Sequence, residues 1–372
     1  MKYIVWHDND FDLAVWTVQN SILKDKEVQL RCIPKTNSPA QIAEYFKDPV
    51  TRKIMPFIRF ETPDVIIQQI EPINKVLCVT ELMTHTPQWQ HPAQRFTRLY
   101  TSTILKIPTA LIVAEFKVKW EKGSNTNYKK VQYHCSGSVY NLFVHSTEKN
   151  NNPTLLFHWP NMEGYLKYDP LHPTSPYVEG DIIEWFNFIN NCIIKQGNLE
   201  KADYQKQLDM MRKNRQETPI ETFETIEGLI DTDDFLSKYK IPKNKMSREF
   251  LNRKKTLIFK PNGLVCSVSE FRTDPYAGML CAFDVIFCRD SNFNRIYNIV
   301  LIAKDVRTSK INYIANKHND SDCCFMNETK PLTKEHLKTC SYTQPKYRRI
   351  YGEISDLVLF EDGVLMRKGE IL

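Results

Sequence analysis

The sequence predicts an α/β protein in which a mixed sheet flanked by helices is followed by a second, mixed and β-rich C-terminal domain. Over residues 1–197, short apolar strand patterns alternate with amphipathic helix patterns. Over residues 256–372, short β patterns separated by turn residues predominate. The chain has 372 residues, of which 42% are hydrophobic and 12% aromatic, and this is enough for the cores of two domains.

In chain order, the first part is predicted to open with a strand, a helix and a second strand. A helix at residues 39–48 follows, with Ser38 as its N-cap and Pro39 as its first residue, which places Glu44 in its middle. Three strands, a helix and a strand then complete the order α, β, β, β, α, β up to residue 117. The strands expected there are 57–60, 65–70 and 76–82, and further helices and a strand are expected at 138–146, 154–160 and 181–196.

Charged and proline-rich stretches of the sequence divide the chain into three parts. Residues 1–197 form the predicted core with its N-terminal extension, and residues 198–255 are a highly charged, helical linker. Residues 256–372 form the C-terminal domain, a candidate for DNA recognition, in which residues 284–304 resemble a hairpin with an Asp/Ser/Asn turn. The predicted strands of this part are 256–260, 264–271, 279–289, 295–306 and 356–368.

Composition narrows the classes of function. The formal net charge is +6 and the isoelectric point is near 8.6, which permits a polyanionic partner without requiring one. The sequence contains neither a run of about 18 apolar residues nor an N-terminal signal peptide, so we expect no contact with a membrane. Ten scattered cysteines favour a reducing cytoplasm. The chain has only 11 glycines and lacks G-x-x-x-x-G-K-[ST], which argues against ATP-driven activity.

Two acidic residues on adjacent predicted strands form the strongest candidate site. Asp64 lies at the start of the strand predicted at 65–70, and Glu81 lies near the end of the strand at 76–82. If both side chains face the same side of the sheet, they provide the minimal protein ligands for Mg²⁺, which completes its octahedron with water and phosphate oxygens. The sequence therefore predicts a magnesium site shared by Asp64 and Glu81.

This order of elements resembles the restriction-endonuclease-like, or PD-(D/E)XK, nuclease superfamily. The resemblance rests on Pro63-Asp64 at the second core strand, Glu81 on the third and Glu44 on the preceding helix, and it covers about 80 residues. It implies that the two strand acids bind Mg²⁺, which activates a water molecule to attack a phosphodiester. It also implies a lysine two residues beyond the second acid that orients or deprotonates this water.

The expected lysine is absent, since position 83 is methionine. A thioether neither stabilises hydroxide nor ligates Mg²⁺. Some superfamily members place this function on the following helix, which here carries Gln94, Arg95 and, one turn later, Arg98. The resemblance then implies that Gln94 orients the water and that Arg95 or Arg98 clamps a phosphate. Lys117, which ends an E-x-K triplet on the next strand, is another possible replacement.

By this resemblance the chain is a Mg²⁺-dependent endonuclease that hydrolyses double-stranded DNA, most similar to a type II restriction enzyme. Cutting both strands would favour a two-fold homodimer with one core for each strand. The competing hypothesis is a non-catalytic nucleic-acid-binding protein, in which the methionine at position 83 marks a degenerate core and the basic stretch 238–255 binds the partner.

Three other groups of residues could hold metals. The first lies near the N-terminus, where helix capping explains the acids more simply than a metal does. The second lies in the C-terminal domain but lacks an acid two residues before its lysine, and its Asp-Pro-Tyr-Ala-Gly segment also suits a turn at Gly278. The third is a possible zinc site with imperfect spacing. Their members are, respectively, His7, Asp8, Asp10 and Asp12; Asp274, Asp284 and Lys304; and His318, Cys323, Cys324, His336 and Cys340.

Overall fold

The computed structural model of the chain divides into two compact units, Met1–Glu221 and Thr222–Leu372. The residues it describes are 1–8, 11–34, 44–83, 91–114, 116–120, 128–132, 135–159, 180–217, 226–239, 241, 243–259, 274–290, 292–302, 311–312, 326–327, 354–359 and 364–366. Among them, none of the helices combines the length and the apolar character needed to cross a lipid bilayer.

The first unit is built on a mixed six-stranded sheet with helices on both faces. The strands lie in the order β2-β1-β3-β4-β5-β8, and all run in the same direction except β3, which is antiparallel to β1 and β4. A separate antiparallel hairpin, β6 and β7, leaves the sheet after β5. The strands are β1 Lys2–His7, β2 Glu27–Cys32, β3 Val65–Glu71, β4 Lys75–Met83, β5 Thr109–Ala114, β6 Phe116–Trp120, β7 Tyr128–Gln132 and β8 Thr154–Trp159.

Helices connect the parallel strands, as a parallel pair requires. The helices of this unit are α1 Phe11–Gln19, α2 Pro49–Arg52, α3 Met55–Arg59, α4 His91–Ile104, α5 Gly137–Asn150, α6 Asp181–Ile194 and α7 Gln205–Glu217. Helix α4 joins β4 to β5, and α5 lies in the connection from β5 to β8. The two helices pack side by side through an edge-to-face contact between Phe96 and Phe143, with ring centroids 5.8 Å apart.

Tryptophan side chains fill the core between the sheet, α1 and α6. Trp16 of α1 stacks on Trp159 of β8 at 4.8 Å and on Trp185 of α6 at 5.3 Å. The indole Nε1 of Trp185 donates a hydrogen bond to Thr80 Oγ1 of β4 at 3.3 Å. Each aromatic pair of this type contributes about 0.5–1.5 kcal/mol beyond the burial of its area. This packing anchors α1 and α6 to the sheet.

The second unit contains a five-stranded mixed sheet in the order β15-β14-β11-β10-β9. Its strands are β9 Ile226–Asp231, β10 Lys255–Phe259, β11 Asn298–Ile302, β14 Leu357–Leu359 and β15 Val364–Met366, with a separate pair of β12 Ile311–Asn312 and β13 Met326–Asn327. Its helices are α8 Thr232–Lys238, α9 Arg248–Asn252 and α10 Asp274–Phe287. Strand β9 is antiparallel to β10, whereas β10, β11 and β14 are parallel. The set β9-β10-β11-β14 therefore repeats the strand directions of β3-β4-β5-β8.

Most of the elements predicted for the first unit are present, with two exceptions. The core strand expected to contain Lys117 ends at Ala114, and Lys117 lies on the separate hairpin strand β6. Residues 57–60 were expected to form a strand, but residues 55–59 form the short helix α3, whose first turn contains Pro56. Proline favours the first turn of a helix because its missing N–H is not needed there. The strand that pairs with β3 on the other side from β4 is instead β1. Most of the helix predicted at residues 39–48 lies outside the described residues.

The second unit departs further from the predicted pattern. Residues 279–289 were expected to form a strand of a hairpin and Gly278 a turn, but both belong largely to α10. A continuous apolar run suits a buried helix as well as a strand, and the parallel pair β10 and β11 requires a crossover. The predicted turn is present after this helix, where Asp290 Oδ1 accepts the N–H groups of Asn292 and Asn294 at 2.9 and 2.8 Å.

The segment predicted to be a helical linker, 198–255, holds more structure than that description implies. It includes α7, which belongs to the first unit, and β9, α8 and α9, which belong to the second. Strand β9 pairs with β10, and Phe235 and Phe250 lie in the core of the second unit. The charged composition of this segment reflects the exposed sides of short elements whose apolar residues are buried.

Candidate functional site

Neighbouring strands bring the two predicted acids together. Asp64 directly precedes β3, and Val65 of β3 pairs with Thr80 of β4, the residue before Glu81. The backbone N–H of Asp64 donates to Glu81 Oε2 at 3.1 Å, and the N–H of Leu82 donates to Asp64 Oδ2 at 2.8 Å. Both carboxylates therefore lie on the same side of the sheet, as the shared site requires.

Two arginines of α4 reach this pair of acids. Arg98 Nη1 lies 3.0 Å from Asp64 Oδ1 and 3.2 Å from Glu81 Oε1, so one guanidinium nitrogen contacts both carboxylates. Arg95 Nη1 lies 3.2 Å from Glu81 Oε1. A third acid, Glu61, places its Oε1 3.7 Å from Arg98 Nε. The spacing of three residues puts both arginines on one face of the helix, above the acids.

Burial raises the free-energy cost of ionising the two acids of this cluster. The Glu81 side chain is fully buried, whereas those of Asp64, Arg98 and Arg95 are 16%, 21% and 38% exposed. Burial, followed by the charge of Asp64, raises the pKa of Glu81 well above its ordinary value, although Arg98 and Arg95 oppose this. Burial also raises the pKa of Asp64, against the charge of Arg98. Glu81 is therefore the acid that retains a proton to higher pH.

The two acids stabilise the protonated form of Arg98, which lies between them. Burial acts to lower the pKa of Arg98, but the charges of Glu81 and Asp64 outweigh it, and the net effect is a raised pKa. A guanidinium is always protonated in proteins, so Arg98 is a permanent cation between the two acids.

The cluster offers Mg²⁺ the right kind of ligand but no unengaged oxygen. Each of the four carboxylate oxygens of Asp64 and Glu81 accepts a hydrogen bond, either from an arginine or from a backbone N–H. A cation held by both acids would take the place of Arg98 Nη1. In the described part of the chain, no group of three or more His, Cys, Asp or Glu side chains is arranged to hold a metal.

For two other residues predicted for this site, the structure describes the backbone but not the side chain. Gln94 belongs to α4 and Lys117 to β6, but their side chains lie outside what the structure describes. Met83 lies two residues after Glu81 on β4, is 3% exposed, and packs as a core residue. Glu61 was not predicted, since nothing in its local sequence indicates that the chain returns it to a helix 37 residues later.

The remaining metal hypotheses rest mostly on residues that the structure does not describe. Asp10, Lys304 and the five candidate zinc ligands lie outside the described residues, as does the side chain of Asp274. Asp12 occupies the first turn of α1, where an acid complements the helix dipole. The described cysteines are free thiols.

Asp284, proposed above as a possible second metal ligand, is part of an ion-pair network. Its side chain is fully buried, and its Oδ2 and Oδ1 lie 2.6 and 2.8 Å from the Nε atoms of Arg289 and Arg295. Asp356 accepts from Arg253 Nη1 at 2.9 Å and from the backbone N–H of Ile299 at 2.8 Å. These contacts tie α10, β11 and the start of β14 together, which is a structural role.

Comparison with known proteins identifies no relative of the chain. No protein-family model matches the chain, and no significant match was found among curated proteins or solved structures.

Proposed function

We propose that the chain is a Mg²⁺-dependent endonuclease of double-stranded DNA whose active site is formed by Asp64 and Glu81. The observation that carries the proposal is their convergence on Arg98 Nη1, at 3.0 and 3.2 Å. Acids on adjacent strands that faced opposite sides of the sheet could not have shared an ion. A buried carboxyl with a strongly raised pKa, such as that of Glu81, is also typical of functional sites.

The arrangement of strands around the acids supports the same proposal. Strands β1, β3 and β4 are successively antiparallel, and α4 then leads to β5, which is parallel to β4. In space, this arrangement is similar to the three strands, helix and strand that the nuclease resemblance implies. Along the chain it differs, because β1 precedes the region of Glu44, whereas the resemblance expects all three strands after it. Asp64 directly precedes the second of these strands, and Glu81 lies on the third.

The chain's own groups would bind and orient the substrate. Bound Mg²⁺ would lower the pKa of a water molecule and neutralise charge on the phosphate. Arg95 is the more exposed arginine and suits contact with a DNA phosphate. Arg98 must leave the carboxylates before they can hold a cation, and a phosphate offers it an alternative partner. Gln94 and Lys117 keep the roles that the resemblance implies, orientation of water and contact with the substrate.

A second candidate function, DNA binding without cleavage, is favoured by two observations. Met83 replaces the lysine and is buried, and Arg98 occupies the position of a cation. In the basic stretch 238–255, the residues already engaged include Lys243, whose Nζ lies 2.7 Å from Asp233, and Arg253, which pairs with Asp356. Exposed lysines of this stretch would bind phosphates as point charges released by salt.

A plasmid assay separates the two functions. Supercoiled plasmid is incubated with the protein in Mg²⁺ or in EDTA, and Asp64→Asn is compared with the control Asp209→Asn, which changes an exposed aspartate of α7. If the chain is an endonuclease, we expect nicked or linear DNA to form only in Mg²⁺. These products should be absent with Asp64→Asn and present with Asp209→Asn. Binding without any cleavage, or cleavage that persists in Asp64→Asn, would refute the proposed active site and in the first case favour the binding protein.

The proposed homodimer is tested separately, because it rests on the need to cut two strands and not on a described interface. Sedimentation equilibrium on the full chain, with and without a DNA duplex, would distinguish a 43.8 kDa monomer from a dimer. A monomer that still produces linear plasmid in a single binding event would contradict the two-fold arrangement.

A further inference from the structure

Helix α5 begins at the same edge of the sheet as the acid cluster. Near its C-terminal end, Thr147 Oγ1 donates to the carbonyl of Thr154, the first residue of β8, at 2.8 Å. Near its start, the Tyr140 hydroxyl lies 2.7 Å from Nε2 of His158, close to the end of β8. The N-terminus of α5 therefore lies at the carboxyl ends of β5 and β8, where ligands of open α/β sheets usually bind.

The first turn of this helix contains a buried hydroxyl without a partner. Ser136 occupies the N-cap position with φ −69° and ψ 156°, yet its side chain makes no capping hydrogen bond. Ser136 is 1% exposed, and its Oγ has no hydrogen-bond partner among the described residues. An N-cap serine normally accepts a bond from the first turn, and a buried hydroxyl without a partner costs about 1–3 kcal/mol. This geometry points to a ligand that the hydroxyl contacts.

This helix end and the acid cluster lie on one face of the sheet. Met83, two residues after Glu81, pairs with Val113 of β5, which in turn pairs with His158 of β8. Residues two apart on a strand face the same side, so Glu81 and His158 share a face. Two strand spacings across the sheet and two residues along the strand separate them, which is roughly 12 Å. The edge-to-face contact between Phe96 of α4 and Phe143 of α5 keeps the two helix starts side by side.

We propose that the N-terminus of α5 binds a phosphate group of the polynucleotide backbone, through the Ser136 hydroxyl and the backbone N–H of Gly137. The inference deepens the proposed function and rests on it for the identity of the ligand. A helix of 14 residues presents N–H groups and a positive dipole end to an anion. Glycine at the first helical position allows close approach of a ligand to the backbone. Tyr140 and His158 hold this helix end against β8.

Selective labelling tests the site directly. The chain has 11 glycines, so ¹⁵N-glycine labelling gives few amide signals, and Gly137→Ala assigns the relevant one. The full chain is titrated with inorganic phosphate and then, in EDTA, with a short DNA duplex. We expect the Gly137 signal to move in both titrations, while Gly197, in the turn after α6, serves as the reference that stays in place.

Variants distinguish binding from a structural effect. Ser136→Ala removes a buried hydroxyl that makes no hydrogen bond to the described residues, so it should fold at least as stably as the wild type. It should weaken duplex binding at least about tenfold, because the phosphate loses a charge-assisted hydrogen bond. The matched control is Ser146→Ala on the same helix, where Oγ bonds the carbonyl of Leu142. It should leave duplex binding unchanged.

The outcomes separate this site from the proposed catalysis. A Gly137 signal that does not move with phosphate, or a Ser136→Ala variant that binds duplex as the wild type does, overturns the site even if the plasmid is cut. A response to phosphate without any response to duplex overturns the polynucleotide as ligand. Responses to both, with weakened duplex binding in Ser136→Ala, support the site even if no cleavage occurs, in which case only the proposed hydrolysis fails.

Discussion

Replacing Arg98 tests whether the acid cluster is held together as described. Arg98→Met removes the guanidinium and keeps most of the aliphatic stem, so the packing of α4 is preserved. Glu81, which is fully buried, and Asp64 are then left facing each other without the cation that lies 3.0–3.2 Å from both. Removing one partner of a buried ion pair costs about 3–5 kcal/mol. We expect a loss of this size in the free energy of unfolding of the first unit.

Tryptophan fluorescence during urea unfolding measures this loss in the correct unit. The six tryptophans all lie within residues 1–221, so the signal reports the first unit alone. Arg95→Met is the matched control: its side chain is 38% exposed, and its Nη1 lies 3.2 Å from Glu81 Oε1. Solvent screens the charge of Arg95 more than that of Arg98, and Arg98 forms ion pairs with both Asp64 and Glu81. Arg98→Met should therefore lose more stability than Arg95→Met.

A double variant distinguishes the charge from the packing. Arg98→Met combined with Glu81→Leu replaces the buried pair with apolar groups, and such replacements are often neutral. The double variant should recover most of the stability lost in Arg98→Met. If Arg98→Met costs less than about 1 kcal/mol, or if the double variant is no more stable than the single one, the cluster does not hold a desolvated ion pair and the reasoning is refuted.

Three further predictions address other parts of the chain. Asp284→Asn should destabilise the second unit by about 3–5 kcal/mol, because it leaves Arg289 buried beside a neutral amide, and faster hydrogen exchange in β11 would show it. Burial raises the pKa of Asp181, so the folded chain keeps a proton that the unfolded chain releases at about pH 4, and stability of the first unit should fall as pH rises from there through the folded pKa. Asp181→Asn should reduce this slope in urea unfolding without abolishing it, because the pKa values of Asp64 and Glu81 are raised as well. Thr80→Val should cost about 1–3 kcal/mol in the same assay, because the indole N–H of Trp185 loses its acceptor.

The sequence predicted the elements of the acid site because their signals are local. The strands at 65–70 and 76–82 are short apolar runs bounded by turn residues, and Arg95 and Arg98 lie three residues apart on an amphipathic helix. Glu61 and the buried hydroxyl of Ser136 could not be predicted, because their roles depend on where distant segments meet. The helix α10 was missed for a similar reason, since its apolar run takes its form from the parallel strands that it connects.

The buried charges lie at the carboxyl ends of the parallel strands in the first unit and at their amino ends in the second unit. This difference indicates where a functional site should be sought. In the second unit, Asp356 precedes β14 and Arg253 precedes β10, so this network lies at the amino ends of the parallel strands. Open α/β sheets bind ligands outside the carboxyl ends of their strands. In the first unit, Glu81 lies near the carboxyl end of β4 and Ser136 at the helix start that follows β5 and its hairpin. Among the described residues, experiments on function therefore belong at this edge.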